Sequence, residues 1–167
     1  MPSIDRPPLP DGALLQACKR AGEYTDCFAI DVPGAITIEQ YIAAFYTTWV
    51  FRLERLILLL IWKPSTDAQA KQLAAGKRTN FAAWRVEERT RYQILLTDFR
   101  GKTRSWLLAK QMDGGARTRL FFGSAVVPKG HTKSGQPKLG FVSRGLLGLH
   151  LFYSRVLLRA AARRLRR

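Results

Sequence analysis

The sequence predicts a single α+β domain in which a curved antiparallel sheet is wrapped around a long C-terminal helix. Apolar residues recur at helical spacing after residue 37 and again after residue 139, whereas between residues 80 and 127 they alternate as in strands. The 167 residues are enough for one domain, and 47% of them are apolar, which excludes intrinsic disorder. A helix with an apolar stripe and a sheet with an apolar face bury both by packing together.

The predicted elements before residue 80 are a helix, a strand and two further helices. Residues 13–22 can form a short helix, and residues 26–32 alternate as a first strand. Thr37 and Thr66 each precede a glutamine by three residues, which is the capping-box spacing. They predict one helix of about six turns that ends before Pro64, and a shorter helix that Gly76 closes.

Four strands and a final helix are predicted after residue 80. The strands are residues 81–89, 92–98, 103–110 and 117–127, and the short turns between them favour antiparallel pairing. A polar, basic loop follows at residues 128–138. From Leu139 to the end, one helical stripe contains Leu146, Leu149, Tyr153, Val156, Leu157 and Ala160.

The positive charge is concentrated at the C-terminal end. The chain carries a net charge of +16, and residues 114–167 contain twelve of the 28 Lys and Arg but none of the 12 Asp and Glu. Such a surface indicates an anionic partner or strong self-repulsion. No apolar run is long enough to cross a membrane, and the N-terminus lacks a secretory signal, so we expect a cytoplasmic protein. If it binds a membrane, we expect it to be a peripheral protein on the inner face.

Four segments of the chain resemble one group of known proteins. They are Tyr24–Val32, Arg104–Leu107, Thr118–Val127 and Leu146–His150. In these the chain resembles START-like and birch-pollen-allergen-like proteins of the helix-grip fold. Within that group it resembles a bacterial family of unknown function, found alone or fused to NAD-binding epimerase-like domains. The resemblance implies a helix-grip domain over residues 23–167 after an N-terminal extension at 1–22, with a pocket for an apolar or amphipathic ligand. Helix-grip proteins usually have six strands after the helices, whereas four are predicted.

Large aromatic side chains and one histidine are the candidate ligand-binding residues: Trp49, Trp84, Trp106, Phe122, His150 and Tyr153. Aromatic walls with a few polar groups are typical of small-molecule sites, although the same residues also pack as plain core. We favour a non-catalytic module for a lipid-like or quinone-like ligand. One alternative is a polyketide-cyclase-like enzyme in which His150 acts as acid or base. A second is a charge-driven binder of nucleic acid or membrane with a solid core. The two cysteines and two histidines have no metal-ligand spacing, and no cofactor is expected.

Six arginines near the end of the chain are the candidate anion-binding residues: Arg155, Arg159, Arg163, Arg164, Arg166 and Arg167. Four of them recur every fourth residue and share one side of the helix, while Leu157, Leu158, Ala161 and Leu165 lie on the other. This pattern fits a helix lying on an anionic membrane surface. It equally fits a solvated helix end whose cations complement the dipole. Nucleic acid, with Trp84, Trp106 and Phe121 stacking on bases, is the less favoured partner.

Overall fold

Six antiparallel strands form one open sheet in the computed structural model, which describes residues 3–53, 65–127 and 141–166, with the backbone alone for 141–150. The elements in chain order are α1 (Gln16–Arg20), β1 (Tyr24–Pro33), α2 (Ile38–Tyr46), α3 (Asp67–Ala74), β2 (Asn80–Phe81), β3 (Trp84–Arg89), β4 (Gln93–Asp98), β5 (Thr103–Met112), β6 (Arg117–Val126) and α4 (Phe141–Leu165). The strand order is β1-β6-β5-β4-β3-β2. The predicted α+β class, the antiparallel pairing and the C-terminal helix are therefore confirmed.

Both predicted capping boxes are present. The hydroxyl of Thr37 accepts from the backbone N–H of Gln40, whose side chain accepts from the N–H of Thr37, and Thr66 with Gln69 does the same for α3. Each box satisfies two of the backbone donors that the first turn of a helix leaves open.

The predicted six-turn helix is wrong, because α2 ends at Tyr46. The Thr47 hydroxyl donates to the carbonyl oxygen of Ala43 at 2.6 Å. The Thr48 hydroxyl donates to the Phe45 carbonyl and accepts from the N–H of Phe51 at 3.2 Å, so it caps the next helical residues, 49–53. The apolar run at residues 56–62 and the basic loop at 128–138 lie outside the described residues.

In the described part of the chain, five strands, rather than the predicted four, lie between α3 and α4. The segment predicted as one strand at 81–89 is a hairpin, in which Phe81 of β2 pairs with Trp84 of β3 across a two-residue turn. Ala82 in this turn has a φ of 52°, the left-handed conformation that two-residue hairpins require. Glycine or asparagine normally marks such a turn, and this sequence has neither there.

Each face of the sheet has its own apolar core. On the first face, α2 and α4 cover Phe28, Ile30 and Leu107 and their neighbours. On the second face, the N-terminal segment that was predicted as an extension places Leu9 and Leu15 over the sheet. Asp5 also exchanges two backbone hydrogen bonds with Ala29 of β1, so this segment pairs with the outer edge of the sheet.

Candidate functional site

An apolar cleft lies between the first face of the sheet, residues 45–53 and α4. Its volume is about 350 Å³, within the range of about 300–1,000 Å³ that ligand pockets occupy. Its described aromatic lining residues are Phe45, Tyr46, Phe51, Trp84, Phe122 and Tyr153. The rings pack against one another: Phe45 lies 4.9 Å from Phe122 and Tyr46 lies 4.8 Å from Phe51, measured between ring centroids. The cleft therefore has a preformed, rigid wall.

A row of three polar side chains crosses the sheet beside this apolar wall. Asp26 on β1, Ser124 on β6 and Ser105 on β5 are direct neighbours in the strand register, and all three are buried. The Asp26 carboxylate oxygen Oδ1 accepts from the backbone N–H of Ser124 at 3.0 Å and from its hydroxyl at 2.9 Å. Both serines line the cleft, so the row supplies fixed polar groups at one part of an otherwise apolar surface.

The hydrogen bond to Asp26 fixes what the Ser124 hydroxyl can offer a ligand. A hydroxyl has one proton and two acceptor lone pairs. Because the Ser124 hydroxyl gives its proton to Asp26, it has no proton left to donate to a ligand. The sequence analysis did not single out Asp26, which is the first residue of the predicted strand 26–32, a place where a charged side chain is expected in solvent; it is only 4% exposed.

Trp84 lines the cleft with its ring, while the polar atom of that ring is buried. Its Nε1 has, among the residues that the structure describes, no hydrogen-bond partner. A buried donor left in this way costs about 1–3 kcal/mol.

The structure brings together three of the six predicted ligand-binding residues. Trp84, Phe122 and Tyr153 line the cleft. Trp49 does not line it and is 69% exposed on the other side of the helical residues 49–53. His150 belongs to the part of α4 of which the structure describes the backbone and not the side chains.

Trp106 lies on the second face of the sheet, away from the cleft. Its ring is fully buried among Leu15 and Phe121, and its Nε1 donates to Gln93 Oε1 at 2.8 Å. Successive side chains of a strand point to opposite faces, so Ser105 and Leu107 face the cleft side while Trp106 cannot. The same burial removes Trp106 and Phe121 as platforms for nucleic-acid bases.

The thiols of Cys18 and Cys27 also lie on the second face and are buried. Burial, with the nearby carboxylate of Glu23 as the next cause, raises the pKa of Cys18 to about 11. Burial, followed by the charge of Asp26, raises the pKa of Cys27 to about 12. Both thiols are therefore protonated and unreactive at neutral pH.

Several of the predicted arginines make contacts within the domain. Arg164 Nη1 donates to the Thr47 carbonyl at 3.0 Å, and Arg166 Nη2 donates to the Asp31 carbonyl at 2.8 Å. The Arg155 guanidinium lies 5.4 Å from the ring centroid of Phe28. Arg167 lies outside the described residues. All five described arginines of the set, Arg159 and Arg163 included, are exposed.

Arg159 and Arg163 line a second depression, which we call the basic groove. It has a volume of about 500 Å³, and its described lining residues are Thr47, Thr48, Trp49, Arg52, Val156, Arg159, Ala160, Arg163 and Arg164. The groove runs between α4 and residues 47–52, where the Arg164–Thr47 hydrogen bond joins the two segments.

The predicted apolar side of the C-terminal helix is not available to a membrane. Leu157, Leu158 and Ala161 are at most 2% exposed, because α4 packs this side on α2 and β1. The periodicity that suggested an interfacial helix is thus the stripe that fills the core of the domain. None of the described helices is long and apolar enough to cross a membrane.

Comparisons with family models, with curated proteins and with solved structures find no match to this chain. Within the described residues, no group of three or more His, Cys, Asp or Glu is placed to hold a metal ion. What the site does must therefore be argued from the cleft, the polar row and the basic groove themselves.

Proposed function

We propose that this protein binds an apolar or amphipathic small molecule, lipid-like or quinone-like, in the cleft between the sheet and α4. One observation carries the proposal: an apolar cleft of about 350 Å³ in which the buried side chains of Ser105 and Ser124 are neighbours in the strand register. Ligand sites are typically apolar with a few precisely placed polar groups that fix orientation. As part of the same proposal, the packing of α4 on the sheet is a helix-grip arrangement of the START-like type.

The polar row specifies the chemistry of the ligand's polar end. Because the Ser124 hydroxyl gives its proton to Asp26, a ligand group that bonds to this hydroxyl must be a donor: a hydroxyl, a protonated carboxyl or an N–H group. The remainder of the ligand is apolar and packs on the aromatic wall.

The described contacts support ligand binding without catalysis. The polyketide-cyclase-like alternative depends on His150, whose side chain is not among the described ones. The buried carboxylate of Asp26 is engaged with Ser124 through two hydrogen bonds and lies behind it, so its contacts support positioning of the serine.

The test is titration with Nile red, a neutral apolar dye that the arginines do not attract. We expect saturable binding to the wild-type protein. Ser105→Phe fills the cleft and should weaken binding at least tenfold, whereas Leu108→Phe enlarges a side chain on the other face of the same strand and should not. If Ser105→Phe melts early, Tyr153→Trp fills the cleft from the helix side. No saturable binding by the wild type, or unchanged binding by both filling variants, would contradict the proposal.

A further inference from the structure

Three large apolar side chains stand exposed beside the basic groove. Trp49 is 69% exposed, Leu53 54% and Phe152 66%. Trp49 and Leu53 are one turn apart on the helical residues 49–53, and Phe152 lies one turn before the groove residue Val156 on α4. We call these three residues the apolar rim. Exposed apolar side chains grouped in this way commonly mark a site of interaction.

The charge next to the rim is strongly positive. Arg52, Arg159, Arg163 and Arg164 line the groove, and residues 114–167 contain no acidic side chain. Arg52 is engaged by Asp67, and Arg164 donates to the Thr47 carbonyl. Arg159 and Arg163 also line the groove and are exposed, so a partner at the groove meets their positive charge.

We infer that the apolar rim and the basic groove together form a docking surface for an anionic lipid bilayer. Tryptophan, phenylalanine and leucine insert at the boundary between headgroups and acyl chains, while arginines attract the phosphates of the headgroups. The charge complementarity with anionic lipid and the aliphatic side chain of Leu53 favour this partner over nucleic acid, because bases stack on aromatic rings and not on leucine.

This surface is distinct from the membrane face that the sequence predicted. The buried stripe of Leu157, Leu158 and Ala161 takes no part, and a different segment, residues 49–53, supplies most of the apolar contact. Leu53 also lines the cleft. On the proposed function, docking would thus bring the cleft to the bilayer, from which an apolar ligand can enter. The docking surface itself does not depend on that function.

The test is co-sedimentation with vesicles of phosphatidylcholine, with and without phosphatidylglycerol, at physiological ionic strength. We expect the wild type to bind the anionic vesicles. Arg159→Gln/Arg163→Gln should weaken this binding about 25-fold, since each basic side chain near an anionic surface contributes a factor of about five. Trp49→Ala should weaken it about tenfold by removing apolar contact. Arg20→Gln/Arg85→Gln removes the same charge from two exposed positions outside the groove and should bind like the wild type.

Three results would overturn the inference. The first is no binding to anionic vesicles by the wild type. The second is an equal loss in both arginine double variants, which would reduce the effect to net charge. The third is tighter binding to a single-stranded oligonucleotide than to vesicles, with Trp49→Ala abolishing it, which would assign the surface to nucleic acid. Thermal melting of each variant shows whether it is still folded. If the double variant Arg159→Gln/Arg163→Gln is unstable, the vesicle assay uses Arg159→Gln alone. Nile red titration without vesicles separates failure of docking from failure of the cleft.

Discussion

Replacing Asp26 with alanine is the substitution that tests the polar row most severely. The Asp26 carboxylate accepts two hydrogen bonds from Ser124, at 3.0 Å from its N–H and 2.9 Å from its hydroxyl. Asp26 is 4% exposed and Ser124 3%, so both hydrogen bonds are buried in the folded protein. The variant leaves the buried polar groups of Ser124 without this partner.

The expected loss follows from the two bonds. A hydrogen bond to a charged group contributes about 1.5–3 kcal/mol, so two give at least about 3 kcal/mol. Removing the carboxylate also removes the desolvation cost of burying it, which offsets part of the lost hydrogen-bond energy. We therefore expect the free energy of unfolding to fall by about 3 kcal/mol, the lower end of this range. Asp26→Asn retains an acceptor oxygen at the same place and should lose about half as much.

Urea unfolding followed by circular dichroism measures this loss as a change in the free energy of unfolding. Ser124→Ala and the double variant complete a cycle, in which we expect a coupling of about 1.5 kcal/mol between the two side chains. Ser105→Ala, in the same row but outside the Asp26 hydrogen bonds, is the control. A loss below about 1 kcal/mol for Asp26→Ala, or a coupling near zero, would refute the buried, hydrogen-bonded row.

Three further predictions concern stability away from the cleft. Gly123→Ala should destabilise by about 1–3 kcal/mol, because a Cβ there would lie 2.8 Å from the Asp26 carbonyl oxygen; a melting temperature equal to the wild type's would contradict this. Thr48→Ala should cost about 1 kcal/mol in urea unfolding, because its hydroxyl caps the helical residues that follow; an unchanged midpoint would rule the cap out. Burial raises the pKa of Cys18 to about 11 and of Cys27 to about 12, from an ordinary 9.0. Their contribution to stability is therefore complete below pH 9 and is lost as the pH rises towards these values, because the unfolded chain ionises first. Above pH 9 and up to its raised pKa, each thiol should lower the free energy of unfolding by about 1.4 kcal/mol per pH unit. The free energy of unfolding of Cys18→Ala/Cys27→Ala should therefore fall less steeply with rising pH than that of the wild type.

Local signals in the sequence were sufficient for most of the fold. The two capping boxes and the antiparallel strand pairing follow from residue types at fixed spacing, and all are present. The break after α2 was missed because the apolar spacing continues through Thr47 and Thr48, so only their hydrogen bonds end the helix. The β2–β3 hairpin was missed because its turn contains Ala82 in place of the usual glycine or asparagine.

The site was harder to predict because both faces of the sheet are buried. When one face meets solvent, alternating polar residues reveal which side chains point inward. Here the N-terminal segment covers the second face, so Trp106 and Phe122 are equally apolar in sequence although they point to opposite faces. Asp26 became recognisable as a buried group only when tertiary structure set it beside Ser124.

Mass spectrometry of the purified protein, first under native and then under denaturing conditions, shows whether the cleft holds a ligand. We expect a small molecule that is retained by the folded wild type and lost on unfolding. It should be apolar, carry a hydroxyl, carboxyl or N–H group, and be absent from Ser105→Phe but present in Leu108→Phe. A wild-type spectrum without a bound mass, even after incubation with lipid extract, would contradict the assignment of the cleft as a ligand site.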